Sequence, residues 1–150
     1  DILAKECDFL SIGTNDLVQY SLAVDRGNHA MGYLYNPAHP SIIRLMKMVV
    51  TEANRNGIPV SVCGEIAADP RYTALLLGLG VHELSCAARY LPIVKNAIRQ
   101  TSIVAASHLA EDVLRMTSSE QIQACLSEKY NNSVPCDLFY NLKENSSDEK

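Results

Sequence analysis

Along this chain, short apolar runs alternate with stretches in which apolar residues return every third or fourth position. That rhythm predicts strands and amphipathic helices in alternation. Residues 9–12 read as a buried strand that stops at Gly13, and Thr14, Asn15 and Asp16 follow as a polar strand-to-helix loop. Leu17, Tyr20 and residues 22–24 make a short amphipathic stretch, broken by Asp25-Arg26-Gly27-Asn28. Residues 29–40 are irregular, with turns at Gly32, Asn36-Pro37 and His39-Pro40. A connection of that length is uncommon unless it serves a site.

A helix is predicted from Ser41 as N-cap, its buried face set by Ile42, Leu45, Met46, Val49, Val50 and Ala53 and its end by Gly57. Residues 59–64 read as the second strand. Asp69 caps the next helix, with Pro70 at its first position and Tyr72, Leu75, Leu76 and Leu79 on its apolar face, ending within residues 78–80. Residues 81–86 form a weaker third strand, and from Pro92 a helix runs through Ile93, Val94, Ala97 and Ile98. Two more helices are predicted over 103–115 and 118–129, the second opened by a Ser118–Gln121 capping box. Residues 131–150 read as a polar, disordered tail behind a folded part at 1–130. A βα series of this kind requires parallel strands, but pattern alone does not separate an open sheet from a barrel.

Composition narrows the classes. The 150 residues suffice for one domain with its own core. A net charge of −4 with both signs interspersed provides no basic field for nucleic acid. The longest apolar runs, such as residues 74–79, are far shorter than a membrane span, and the first residues lack the basic-then-apolar plan of a signal peptide. The five cysteines (Cys7, Cys63, Cys86, Cys125, Cys136) include no Cys-x-x-Cys, so reduced thiols in a cytoplasm are expected rather than a zinc or thioredoxin-like site. The first residue is Asp, and with a strand so soon after it the sequence reads as a piece of a longer polypeptide.

Read by residue type, Asp16 could hold a divalent cation and Asn15 could hydrogen-bond beside it, or Thr14 or Asn15 could simply cap the following helix. The stretch Asp8-Phe9-Leu10-Ser11-Ile12-Gly13-Thr14-Asn15-Asp16-Leu17-Val18-Gln19-Tyr20 resembles the second signature of the phosphoenolpyruvate-utilising enzymes. Cys63-Gly64-Glu65-Ile66-Ala67-Ala68-Asp69-Pro70 matches that family's Cys-Gly-Glu, and the likeness covers residues 8–127. Ser21-Leu22-Ala23-Val24-Asp25-Arg26-Gly27-Asn28 is similar to the Enzyme I branch, which serves sugar phosphotransferase systems.

The resemblance implies an α/β fold: the last three βα units of a (β/α)8 TIM-type barrel with C-terminal helices, active site at the rim of the strand ends. It implies Asp16 as a Mg2+ ligand, Asn15 and Arg26 as phosphoenolpyruvate contacts, and Cys63 as the acid that protonates enolpyruvate at C3. A free thiol, of ordinary pKa about 8.5, is protonated at neutral pH and suits that task. Glu65 could orient or ionically support the site, or pair with a buried arginine. His29, His39, His82 and His108 do not cluster, and none takes the phosphoryl-acceptor role that Enzyme I gives to a histidine of another domain.

The expected partners are phosphoenolpyruvate, the carrier HPr through a domain absent from this sequence, and a second copy of the intact protein; membrane and nucleic acid are not expected. The first five barrel strands are absent as well, so the fragment alone is expected to be inactive and to expose sheet edges and apolar faces. Ala68 replaces a family glycine, and Ala87, Arg89 and Tyr90 replace a serine-rich stretch. A dikinase or synthase relative is the second reading, disfavoured by residues 24–27 and by the helices after Arg99. A non-catalytic dimerisation or ligand-sensing module is the third.

Overall fold

The computed structural model describes residues 1–24 and 32–133. Three strands, β1 (Leu10–Gly13), β2 (Val60–Cys63) and β3 (Glu83–Ser85), form a parallel sheet in the order β1-β2-β3. Between β1 and β2 lie helices α1 (Thr14–Leu22) and α2 (Pro40–Arg55); between β2 and β3 lie the single turn α3 (Glu65–Ala68) and α4 (Pro70–Leu79). Then come α5 (Leu91–Gln100), α6 (Ile103–Arg115) and α7 (Ser119–Ser133). The fold is α/β, as the alternation predicts.

The register decides where the chemistry can sit. Leu10 pairs with Val60 and Gly13 with Cys63, while Ser61 pairs with Glu83 and Cys63 with Ser85. All three strands therefore end level, with Gly13, Cys63 and Ser85 in one row. Alternation along each strand sends Ile12, Val60 and Val62 into the core. Ser11, Ser61, Cys63, Glu83 and Ser85 take the opposite face, and none of them is buried. The open face of the sheet is thus polar, and the apolar exposure expected of the fragment lies elsewhere. Exposed apolar side chains instead gather near the unpaired side of β1, at Ile2, Leu3, Phe9, Tyr20 and Met48. Phe9 lies just ahead of the strand it was expected to open, and its ring is exposed.

Local chemistry explains most boundaries and shifts a few. The turn of α1 begins at Thr14, so Thr14, Asn15 and Asp16 form its first turn rather than a loop, and the helix ends at Ala23 in the left-handed conformation. His39, not Ser41, caps α2: its Nδ1 accepts the Ser41 N–H at 3.2 Å, and Pro40 occupies the first helical position, where a missing N–H is harmless. Asp69 caps α4 as expected, accepting the Arg71 N–H at 3.0 Å. The Ser118 hydroxyl accepts the Gln121 N–H at 3.3 Å, and the Gln121 side chain reaches back to the N–H of Thr117, one residue earlier than a capping box requires. Helix α7 continues to Ser133, three residues into the stretch read as tail. Residues 25–28, where the first helical stretch was expected to break, are only reached outside the described residues, as are 134–150.

The core joins Ile42, Met46, Val50 and Ala53 of α2, Leu75, Leu76 and Leu79 of α4, and Leu109, Ala110 and Val113 of α6 around the inner sheet face. Burying each such aliphatic side chain contributes roughly 1.5–3 kcal/mol. The α4–α6 crossing is tight because Gly78 has no side chain: a methyl there would overlap the carbonyl of Ala106 and come within 3.0 Å of Ala110 Cβ. Two cations tie the layers by donating to backbone carbonyls, Lys47 Nζ to Leu79 at 3.3 Å and Arg44 to Met116 at 3.1 Å. No helix among the described residues is long and apolar enough to cross a membrane.

Candidate active site at the strand ends

The ends of β1 and β2 are joined by side chains as well as by the sheet ladder. Thr14, 1% exposed, donates its hydroxyl to the carbonyl oxygen of Cys63 at 2.7 Å. The next residue, Asn15, presents Oδ1 to the N–H of Glu65 at 3.5 Å and to the Tyr35 hydroxyl at 3.4 Å. An amide N–H can only donate, so the Glu65 contact assigns the Asn15 oxygen to the protein side and leaves its NH2 as the donating end. Between these contacts sits Gly64, at φ +99° and ψ −171°. A methyl on Gly64 would lie 2.5 Å from Thr14 Oγ1 and 3.0 Å from Asn15 Oδ1. Only glycine meets both the backbone angle and the space.

The expected site residues on the described chain fall as follows. Cys63 ends β2 on the open sheet face, half-buried, with its thiol donating to the carbonyl of Ile12 at 3.6 Å. Asn15 is half-buried against residues 64–65, and Asp16 is exposed one residue further along α1. Glu65 is exposed at the start of α3 and meets Asn15 through its backbone. Arg26 lies outside the described residues. His39 and His82 have structural partners, the latter accepting the Val60 N–H on Nδ1 at 3.2 Å. Cys7, Cys63, Cys86 and Cys125 are unpaired thiols.

The first turn of α1 has no side-chain cap among the described residues, and a helix N-terminus is where backbone N–H groups favour negative oxygens. No group of three or more His, Cys, Asp or Glu capable of enclosing a metal exists among the described residues. A lone exposed carboxylate such as Asp16 does fit Mg2+, which commonly takes one or two protein carboxylates and completes its shell with water and substrate oxygens.

Comparison with known proteins decides the family. The model of the family described as "PEP-utilising enzyme, PEP-binding domain" matches residues 1–103. The chain belongs to this family. Over 122 residues it is 48% identical to the phosphoenolpyruvate-protein phosphotransferase of Buchnera aphidicola (Schizaphis graminum strain), covering 81% of the chain and 21% of that relative. The Haemophilus influenzae enzyme of the same name is 46% identical over 126 residues, 84% of the chain and 22% of the relative. Multiphosphoryl transfer protein 1 of Escherichia coli is 43% identical over 126 residues, 84% of the chain and 15% of the relative. The chain thus spans about a fifth of the length of the two phosphotransferases and 15% of the multiphosphoryl transfer protein.

Sequence reasoning missed Thr14 and Tyr35 as members of this PEP-binding-domain site. A threonine before a helix reads as a cap, and only the register reveals that its hydroxyl faces a carbonyl 49 positions away. The tyrosine lies in the irregular connection, where no periodicity indicates which side chain turns toward the rim.

Proposed function

We propose that this chain is the C-terminal part of a phosphoenolpyruvate-protein phosphotransferase and supplies part of the mouth of a (β/α)8 barrel. The observation that carries the reading is the level row of strand ends, where Asn15 rests on residues 64–65 while Cys63 pairs with Gly13. The polar open face of the sheet supports closure into a barrel, whose interior such a face would line. A groove of about 950 Å3 beside β1, lined by Ile2, Leu3, Leu17, Tyr20 and Met48 among others, supports a further barrel unit packing there.

In this reading Asn15 donates its NH2 to an anionic oxygen of phosphoenolpyruvate, Arg26 grips the phosphate through its guanidinium fork, and Asp16 holds Mg2+. The ion, when bound, neutralises charge on phosphoryl and enolate oxygens. Breaking the P–O bond hands the phosphoryl group to a nucleophilic histidine of another domain, which passes it to HPr. The enolate left behind takes a proton at C3 from the Cys63 thiol, giving pyruvate and a thiolate that regains its proton from solvent. Glu65 has a positioning role through its N–H. The helices through α7, to Ser133, belong to the barrel domain, with the polar residues 134–150 as its tail; the intact protein is a cytoplasmic homodimer, and the fragment alone is inactive.

The test is phosphoenolpyruvate-dependent phosphorylation of HPr by the intact protein, with Cys63→Ala and Asp16→Asn as variants. Loss of turnover in Cys63→Ala, and a fall in turnover with a raised Mg2+ requirement in Asp16→Asn, is the expected result. Full activity of Cys63→Ala would remove the thiol from the chemistry. Phosphorylation of pyruvate by ATP would move the protein to the synthase or dikinase class.

A further inference from the structure

Thr14 has a single hydroxyl proton, and the fold commits it across the sheet. The N-cap of α1 is Gly13, which has no side chain to offer, and the hydroxyl of Thr14 behind it is not spent on the helix. The hydroxyl donates instead to Cys63 at 2.7 Å, extending the β1–β2 ladder one step past its last pair, Gly13 with Cys63. The accepting carbonyl belongs to the Cys63–Gly64 peptide, whose plane carries the thiol-bearing residue on one side. On its other side Gly64 presses against Thr14 and Asn15, and the Glu65 N–H meets Asn15 Oδ1. Two consecutive residues of α1, Thr14 and Asn15, therefore grip three consecutive residues from the last of β2 onward, Cys63, Gly64 and Glu65.

We propose that Thr14 is a positioning residue: the Thr14 hydroxyl bolts the peptide of the proton donor Cys63 to the turn that holds substrate and metal, and so sets the line from the thiol to C3 of enolpyruvate. Neither Thr14 nor its bond touches the reacting atoms. Its effect is geometric, and a displacement of about 1 Å between reacting groups can lower a rate by roughly a hundredfold. This rests on the proposed role of Cys63.

The experiment uses the intact protein with phosphoenolpyruvate and HPr, comparing Thr14→Val, Thr14→Ser and Thr14→Ala. Valine keeps the shape and loses the donor. The serine and alanine variants share the loss of the methyl and differ only in the hydroxyl, which keeps the comparison valid if valine folds poorly. The expected result is that kcat falls about tenfold or more in Val and Ala, with Ser within about threefold of the parent and KM for phosphoenolpyruvate nearly unchanged. Exchange of pyruvate C3 protons with deuterated solvent, read by NMR, should slow in the same order. Equal kcat and equal exchange in Ser and Ala, with Cys63→Ala inactive, would overturn the positioning role and leave the site intact. A raised KM with kcat retained would overturn it too, by assigning the hydroxyl to substrate binding. Cys63→Ala with full activity would overturn the underlying site reading instead.

Discussion

Gly78 of α4 lies against the backbone carbonyl of Ala106 in α6, with no room between them for a methyl group. The two helices approach closely because one presents a bare Cα to the other's carbonyl. The remaining neighbour at this crossing is Ala110, another small residue. Close helix approach at small side chains brings Leu76 and Leu79 of α4 into the same buried cluster as Leu109 and Val113 of α6.

Gly78→Ala should therefore destabilise, although alanine is the better helix former by about 1 kcal/mol. The overlap involves backbone, which yields only if α6 shifts, and overpacking of this kind costs roughly 1–3 kcal/mol. A lower thermal midpoint of the intact protein is expected, and an unchanged or raised midpoint would show that α6 moves freely.

At Gly64 the two penalties coincide. Gly64→Ala would place a methyl 2.5 Å from Thr14 Oγ1 on a backbone at φ +99°. Strain there is relieved by separating the ends of β1 and β2, so phosphoenolpyruvate turnover should fall by more than tenfold, on the scale expected for a displacement of about 1 Å. Steady-state kinetics of the variant in the intact protein checks this. Gly57→Ala, with open space around it, serves as the comparison at another positive φ.

Tyr72 supplies a pH dependence. Burial pushes its hydroxyl up to about 12, with the Asp69 carboxylate adding to the rise and the Arg71 guanidinium opposing it. In the unfolded chain the group titrates near 10, so between these values the folded form holds a proton the unfolded form has released. The contribution is fully present below about pH 10 and is lost as pH rises toward 12, up to about 2–3 kcal/mol. Melting curves of the intact protein from pH 9 to 12 should fall less steeply for Tyr72→Phe. Parallel slopes would show that Tyr72 titrates as an ordinary phenol.

The 150 residues alone should self-associate. Among the described residues β1 and β3 are the unpaired edges of a parallel sheet, and Ile2, Leu3, Phe9, Tyr20 and Met48 are all more than half exposed near one of them. Sedimentation velocity should give species larger than a monomer. A sharp, cooperative, monomeric melt would show that the three-stranded unit is self-sufficient.

Local signals carried most of the element map. Asp69-Pro70 announces α4 because a side-chain acceptor and a fixed φ act within three residues, and the apolar spacing of Tyr72, Leu75, Leu76 and Leu79 marks the buried face. The same reasoning placed the α2 cap at Ser41, where the bond runs from Ser41 N–H to His39. It set Leu45 and Val49 on the buried face and left out Ile43, yet Ile43 lies deeper and those two are half-buried. How deep a residue lies on a helical face depends on the neighbour that covers it, and that neighbour is remote in sequence.

By its residues alone, the chain determined the βα alternation, the caps and glycines that punctuate it, and two signature stretches that point to phosphoenolpyruvate chemistry; each of these is written within a few consecutive positions. The tertiary structure decided what no local window contains. Parallel register levels Gly13, Cys63 and Ser85, turns the Thr14 hydroxyl from a helix cap into a tie to Cys63, and seats Asn15 on residues 64–65. Hydrogen bonds between strands 50 residues apart depend on where the helices between them pack, so these relations exist only once the core has closed.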